Sequence, residues 1–450
     1  MRRFLAICAL CLLGGVHSAP AGELALTPEQ LLRTGQMAID ARRPEVAAQI
    51  ADALLQRNPD DAGALVLKSQ ALRDLGRFDE ARALAKAAWR QARTGPERHE
   101  AALARAQAEA SDGRRTTSQF WLRRAIQEAP DERAHAKAMR DFRYVRARNP
   151  LRLSFGFGIA PSSNINGGSS AETLWLYGIP FTLSGDAQAL SGTEARLSFG
   201  VDYRISSDKT HQTRIGANLS SQRYWLSSEA RRQAPMADAD DYAFAAAEVF
   251  VSHEARPADW KAPWDVRLTL GHNSYGGAAL SNYARVDLGK DLALEGKQSA
   301  RVSAGLERQW RQDRADRSAT VQTVQARYGR AVAGGGLAFG VKAARVRSAS
   351  SSIDHMALGL SADYALARPV GGARLGLHAS AEARDYDASP YDPSGREDLK
   401  LGIGVSALLQ DLDYMGFAPE VSLNATRTNS NVALFETRDI GVSIGLRSAF

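Results

Sequence analysis

From Pro150 to the end of this 450-residue chain, apolar and polar residues alternate one for one over segments of 10 to 15 residues, and no other feature restricts the fold as much. Leu151, Leu153, Phe155, Phe157 and Ile159 alternate with Arg152, Ser154, Gly156 and Gly158. Ala195, Leu197, Phe199, Val201, Tyr203 and Ile205 alternate with Arg196, Ser198, Gly200, Asp202 and Arg204, and the last segment sets Ile440, Val442, Ile444 and Leu446 against Gly441, Ser443, Gly445 and Arg447 before ending on Phe450. A period of two places successive side chains on opposite faces of a strand. These segments exceed the usual length of about 5 to 6 residues for a globular strand, and their second face is often charged. Strands of this length suit a tilted bilayer crossing, with the apolar face on lipid and the polar face on a lumen. A soluble sandwich would turn its apolar faces toward each other and would use shorter strands around a bulkier aromatic core.

Fourteen such segments are predicted, near 151–160, 191–205, 211–226, 241–254, 263–275, 280–292, 298–311, 318–332, 335–348, 354–367, 371–385, 396–410, 416–428 and 438–450. An even count returns the chain to the side on which it started. With that parity the connections on the starting side, including 206–210, 293–297, 333–334 and 368–370, are short, and those on the other side, including 161–190, 227–240, 386–395 and 429–437, are generally longer. Leu174 to Leu183 could form a further strand; parity assigns it to the first long loop. Tyr224, Trp225, Trp264, Tyr275, Tyr283 and Trp310, near strand ends, fit aromatic girdles.

The preceding part of the chain reads differently. Residues 23–149 are rich in Ala, Leu, Arg and Glu with apolar spacings of three and four, which means helices. A shift of 34 residues aligns Gly35 with Ser69, Ala47 with Ala81 and Leu54 with Ala88, and a third copy fits after a three-residue insertion at Ala106, Gly113, Ala125 and Pro130. Small residues at these places allow antiparallel helices to approach closely, and Gly76 and Gly113 permit the turn between them. "DLGRFDEA" (Asp74 to Ala81) is the best single match, and the segment resembles tetratricopeptide repeats. Such stacks present a concave binding face. In the repeat pattern the ninth position faces that groove; here it is Gln36, Gln70 and Gln107, candidates for hydrogen bonding to an extended peptide. The basic excess of this region is mild, which gives no argument for nucleic acid as a partner.

Residues 1–21 carry Arg2 and Arg3, an apolar stretch from Phe4 to Val16, and Ala19-Pro20-Ala21, the parts of a secretory signal. The apolar stretch is shorter than the roughly 18 to 20 residues of a membrane-spanning helix. Both cysteines, Cys8 and Cys11, fall inside it and neither fits a lipoprotein site, so a chain cut after Ala21 or Ser18 has no thiol for a disulfide, a metal or catalysis. No HExxH, close histidine pair, GxSxG or P-loop is present; "GGG" at 334–336 reads as a hairpin turn. The sequence therefore offers no catalytic, cofactor-binding or metal residues, although pairing of His378 with a neighbouring serine is compatible with its spacing.

The order is a signal at 1–21, repeats at 22–145 and a barrel at 146–450, with "FGFGIAPSSNINGGSS" (Phe155 to Ser170) opening the barrel and "RTNSNVALFETRDIGVSIGLRSAF" (Arg427 to Phe450) closing it. These stretches resemble the surface lipoprotein assembly modulators of Gram-negative bacteria. The matching positions are Pro161, Ser163, Asn164, Ile165 and Asn166, then Ser430, Asn431, Arg438 and Phe450. The resemblance implies an outer-membrane translocator without cofactors that moves client lipoproteins or secreted proteins across or onto the outer membrane, with periplasmic repeats receiving the client. It implies outer-membrane lipid and the barrel-assembly machinery as further partners. Lumen-facing Arg196, Arg204, Arg374 and Arg384, among charges of both signs, are candidates to pair across the lumen and be displaced by a passing chain. Asn164 and Asn166 can equally serve to cap the first loop. Competing readings are a pore for a small solute or metal-loaded ligand, a polysaccharide export porin, which usually carries a far longer repeat array, and a barrel hydrolase.

A mean hydropathy of -0.31 and a net charge of +7 are compatible with this, because the lipid-facing residues are spread at every second position.

Overall fold

The computed structural model describes residues 26–176, 178–257 and 260–448. The predicted signal at 1–21 and the terminal Phe450 lie outside these described residues. The chain divides into two compact units, with the boundary between Arg143 and Tyr144.

The first unit is built of helices α1 (Pro28–Asp40), α2 (Pro44–Arg57), α3 (Ala62–Asp74), α4 (Phe78–Gln91), α5 (Gly95–Ser111) and α6 (Arg115–Gln127), and α7 (Glu132–Arg148) leads out of it. These are three hairpins, one per predicted repeat. Thr27 with Gln30 and Thr94 with Glu97 form capping boxes that satisfy the first free N–H groups of α1 and α5, and Asp61 caps α3. The hairpins close through alanine: Ala47, Ala51, Ala81, Ala85, Ala88 and Ala125 are fully buried, and their single methyl groups let helices approach closely. Within a repeat the Gly35/Ser69/Ala106 position faces the Ala47/Ala81/Ser118 position. Ser69 Oγ donates to the Ala81 carbonyl at 2.8 Å, and in the next copy the donor changes sides, with Ser118 Oγ donating to the Ala106 carbonyl at 2.8 Å. Gly35 is needed for a different contact, because a Cβ there would meet Leu67 of the following repeat at 2.3 Å. Gly76 and Gly113 turn the second and third hairpins with φ of 78° and 75°; the first copy places Arg42 there with φ of 57°.

The second unit contains a closed barrel of fourteen antiparallel strands: β1 (Leu151–Ser162), β4 (Gly192–Ser207), β5 (His211–Leu226), β6 (Phe244–Ala255), β7 (Trp264–Tyr275), β8 (Ala278–Leu292), β9 (Gln298–Arg311), β10 (Ala319–Val332), β11 (Gly335–Ser348), β12 (His355–Leu366), β13 (Ala373–Tyr386), β14 (Arg396–Leu409), β15 (Phe417–Ser430) and β16 (Thr437–Ser448). The predicted count and alternation hold, and β1 closes the cylinder by pairing with both β4 and β16. Leu174 to Leu183 forms not a barrel strand but a short hairpin of β2 (Thr173–Leu176) and β3 (Ile179–Thr182) inside the first loop. Leu358, Leu360, Leu401, Ile403, Val442 and Ile444 stand exposed on the outer face, which is stable only against hydrocarbon. Among the described residues no helix is long and apolar enough to cross a membrane; the crossing elements are strands.

Candidate functional site: lumen wall, mouth and closing seam

The barrel has a near end, where β1 begins, and a far end, where the long loops lie. Most charged strand residues fall at inward positions, with a few apolar ones such as Phe250 among them. Arg285 sits among Glu248, Asp287 and Glu307 at 3.4, 3.0 and 3.2 Å; Arg301 bridges Asp265 and Asp291 at 2.5 and 3.0 Å. Arg447 meets Glu420 at 2.9 Å, and Arg396 meets Asp398 at 3.2 Å. Arg196 binds Glu194 and Arg384 binds Glu382, in each case a partner two residues away on its own strand. Arg204 donates to the carbonyls of Ala147 and Arg148 at the near end, and Arg374 has no ion-pair partner among the described residues. Where pairing across the lumen was expected, Arg196 and Arg384 thus pair along the wall. The paired guanidiniums reach carboxylates on their own strand or one to two strands along the wall, as Arg285 does with Glu248 and Arg301 with Asp265, so these charges neutralise along the wall.

Tyr224 and Tyr283, predicted in the girdles, also face inward. Tyr283 donates its hydroxyl to Glu248 at 2.5 Å and Tyr224 donates to Gln222 at 3.3 Å, whereas Trp225 and Trp310 are exposed on the outer face. His378 holds Asp363 at 2.7 Å, and Arg327 holds the same carboxylate at 3.1 Å. Among the described residues no serine hydroxyl reaches His378, and no cluster of three or more metal-ligating side chains occurs.

At the far end the motif residues tie loops together. Asn166 uses its whole amide: Nδ2 donates to the carbonyls of Asp186 and Gln188 at 2.9 and 2.8 Å, and Oδ1 accepts from the N–H groups of Gly168 and Leu190 at 3.3 and 2.9 Å. Ile165 is buried beside Leu190, Leu226, Ala230 and Ala234, joining the first loop to the short helix α8 (Ser228–Gln233) in a small apolar core. Asn164 donates to the Gly168 carbonyl at 2.8 Å. Asn431 performs the corresponding task for the loop between β13 and β14: Oδ1 accepts from Glu397 N at 2.8 Å, and Nδ2 donates to the Gly395 carbonyl and Asp392 at 3.2 and 3.3 Å. Ser430 Oγ accepts from Val432 N at 3.1 Å, turning the chain into the final loop. Pro161, without an N–H, sits near the far end of β1.

The seam between β1 and β16 differs from its neighbours. β1 registers with β4 at twelve positions, from Leu151↔Tyr203 to Ser162↔Gly192, but with β16 at four: Phe157↔Leu446, Gly158↔Gly445, Ile159↔Ile444 and Ser162↔Gly441. Leu151 to Gly156 have no registered partner on β16 among the described residues. At the far end the seam is latched by side chains. Ser162 and Ser163 donate to Asp439 at 2.8 and 3.2 Å, Ser163 Oγ accepts from Ile440 N at 2.9 Å, and Ser169 Oγ donates to the Ala433 carbonyl at 2.6 Å. Sequence reading passed over Asp439 and Ser162, which pair across 277 positions of chain.

In the helical unit a groove of about 330 Å³ is lined by Leu32, Gln36, Val66, Leu67, Gln70 and Glu100 from α1, α3 and α5. Two of the three predicted glutamines therefore share one groove. Gln70 Oε1 is buried without a hydrogen-bond partner, while Gln36 donates to Asp40 at 3.4 Å. Gln107 is held by Arg73 and does not line the groove.

Residues 152–450 match the family model described as surface lipoprotein assembly modifier, and residues 38–106 match a tetratricopeptide-repeat model. No curated protein matches the chain. Among solved structures, the first tetratricopeptide domain of Spaghetti (RPAP3) bound to an HSP90 peptide is 13% identical, covering 27% of this chain and 94% of that one with a TM-score of 0.24. A BenF-like porin from Pseudomonas fluorescens Pf-5 is 8% identical, covering 66% and 98% with a TM-score of 0.36, and OccAB3 of Acinetobacter baumannii is 7% identical with the same coverages and score.

Proposed function

This chain belongs to the surface lipoprotein assembly modifier family, and from that membership we propose that it exports specific client lipoproteins or related secreted proteins onto the outer surface of the outer membrane of a Gram-negative bacterium. In this reading residues 22–145 form a periplasmic repeat domain whose groove at Gln36 and Gln70 receives an extended client segment, and residues 146–450 form the membrane domain that passes it. The near end of the barrel is periplasmic and the barrel-assembly machinery inserts it.

The sparse β1/β16 seam carries the proposal. A lipoprotein is a polar chain joined to an acyl anchor, and the two parts need different solvents. A lumen lined by wall-paired charges suits the polar chain, because its ion pairs leave little net field to trap a passing segment. Acyl chains gain nothing there and must reach the leaflet through the wall. Separating strands inside hydrocarbon leaves backbone N–H and C=O groups without partners, at several kcal/mol each. The passage is least costly where strands are least paired, and among the described residues the fewest registered positions lie between β1 and β16. Asn166, Asn431 and the Ser162/Ser163–Asp439 latch hold the far rim in shape while the near part of the seam parts.

The test compares cells with and without the chain, measuring client exposed to external protease and client retained in the periplasm. Loss of one surface client with a matching periplasmic rise is expected. An unchanged client together with lost uptake of a small solute would overturn the reading in favour of a pore.

A further inference from the structure

On the outer face of the far rim, Arg427 of β15 lies directly opposite Arg438 of β16. The face is fixed by alternation: the same register column continues as Ala425↔Ile440 and Leu423↔Val442, and Leu423, Ile440 and Val442 are exposed where the barrel meets hydrocarbon. Both arginines are exposed, and among the described residues no carboxylate lies within 4.0 Å of either guanidinium. Asp439, the adjacent acid, points to the other face, where it is engaged by Ser162 and Ser163. Like charges directly opposite on one face of a sheet destabilise it. Beside a low-dielectric medium the repulsion is stronger than in water. The arrangement calls for an anion supplied from outside the protein.

We propose that Arg427 and Arg438 clamp the phosphate of an anionic lipid headgroup in the leaflet at the far rim, with the lipid's acyl chains lying along Leu423, Val442 and Ile440. Guanidinium groups present paired donors in a plane that matches phosphate oxygens. The apolar column beneath them suits chains attached to that phosphate, which free phosphate would leave unused. The same rim repeats the theme at Arg308 and Arg347, which flank Thr320 in one register row, with Arg308 donating to Thr320 Oγ1 at 2.9 Å. At the opposite end of the β15/β16 column the outward pairs are Pro419↔Leu446 and Val421↔Ile444, without charge. The clamp therefore belongs to one leaflet only. Because β16 is a strand of the sparse seam, the bound lipid stands beside it. A diacylglyceryl anchor carries no phosphate, so the ligand is membrane lipid and not the client.

The experiment uses the purified full-length chain in detergent with bis-phosphorylated lipid A, its dephosphorylated counterpart, phosphatidylethanolamine or inorganic phosphate as probes, read by native mass spectrometry and thermal unfolding. The bis-phosphorylated lipid is expected to be retained preferentially, and the Arg427→Ala/Arg438→Ala double variant to bind it about tenfold or more weakly, the loss of two charge-assisted contacts. Arg330→Ala, on the same outer face at the near end, serves as the control and leaves binding unchanged. Relief of like-charge repulsion adds a sign change: in lipid-free detergent Arg427→Ala unfolds at the same or a higher temperature than the native chain, and with phosphorylated lipid at a lower one. Equal retention by native and double-variant chains, equal retention of the dephosphorylated lipid, or stabilisation by inorganic phosphate alone to the same extent would each overturn the proposal.

Discussion

Locking the closing seam with Ile159→Cys and Ile444→Cys separates a barrel that opens between β1 and β16 from one that does not. The two residues are register partners and both are exposed on the outer face. Cβ atoms of directly opposite residues lie about 4.5 to 5.5 Å apart, close to the spacing a disulfide accepts after small adjustment. The only other cysteines, Cys8 and Cys11, lie within the predicted signal, so competing pairings are few. The magnitude follows from the register. An antiparallel pair contributes about one backbone hydrogen bond per residue pair, worth about 1 kcal/mol net. Among the described residues four registered positions and the Ser163 N–H on the Ile440 carbonyl then resist opening by about 5 kcal/mol, an open fraction between about one in 10³ and one in 10⁴. The twelve positions between β1 and β4 resist by about 12 kcal/mol, near one in 10⁹. Immersion in hydrocarbon raises both figures but preserves their order. The latch at Asp439 strengthens the far end, so opening starts from the near end. Oxidised cells should display surface client at the level of cells lacking the chain, and reductant should restore it. Crosslink formation is followed by gel mobility and client exposure by external protease. Ala304→Cys with Val324→Cys, register partners in the fully paired β9/β10 seam, should crosslink without affecting export. Complete oxidation of the β1/β16 pair with undiminished surface client would refute the reasoning.

Two further outcomes follow from single residues. Asn166→Ala removes four hydrogen bonds to the first loop and leaves backbone groups of Asp186, Gln188 and Leu190 unpaired, a local loss of about 2 to 4 kcal/mol; cleavage within 167–190 by external protease should accelerate while barrel unfolding in detergent changes little, and equal protease resistance would contradict the assigned role. Arg42→Gly relieves a left-handed backbone where the other two repeats have glycine, and relief of about 1 to 2 kcal/mol against an unfolded-state entropy cost of about 0.4 to 1 kcal/mol should stabilise the helical unit by about 0.5 to 1 kcal/mol; a lower unfolding midpoint in the full chain would show that Arg42 makes a compensating contact.

The strand count, the two faces and the three repeats are all legible in the sequence. They are local properties: a period of two or of 3.6 is written into consecutive residues, and whichever partner a strand takes, Leu401 and Ile403 still fall on one face and Lys400 and Gly402 on the other. Parity along β8 was sufficient to place Tyr283 inside, since Ala284, Val286 and Leu288 fix the outer face; proximity to a strand end is a weaker guide than alternation. Other features were set only by tertiary structure. Arg384 takes Glu382, not a carboxylate across the lumen, because a wall neighbour is reached without crossing water. Gln107 leaves the groove for Arg73, 34 residues away, because repeat stacking brings the two side chains together. The seam that closes the cylinder joins residues nearly 300 positions apart, so its sparse register and its Ser162–Asp439 latch exist only once the barrel has closed. The hydrophobic pattern decides which solvent each side chain meets, since that depends on the face alone; which charges pair and which strands part easily depends on distances that no local period contains.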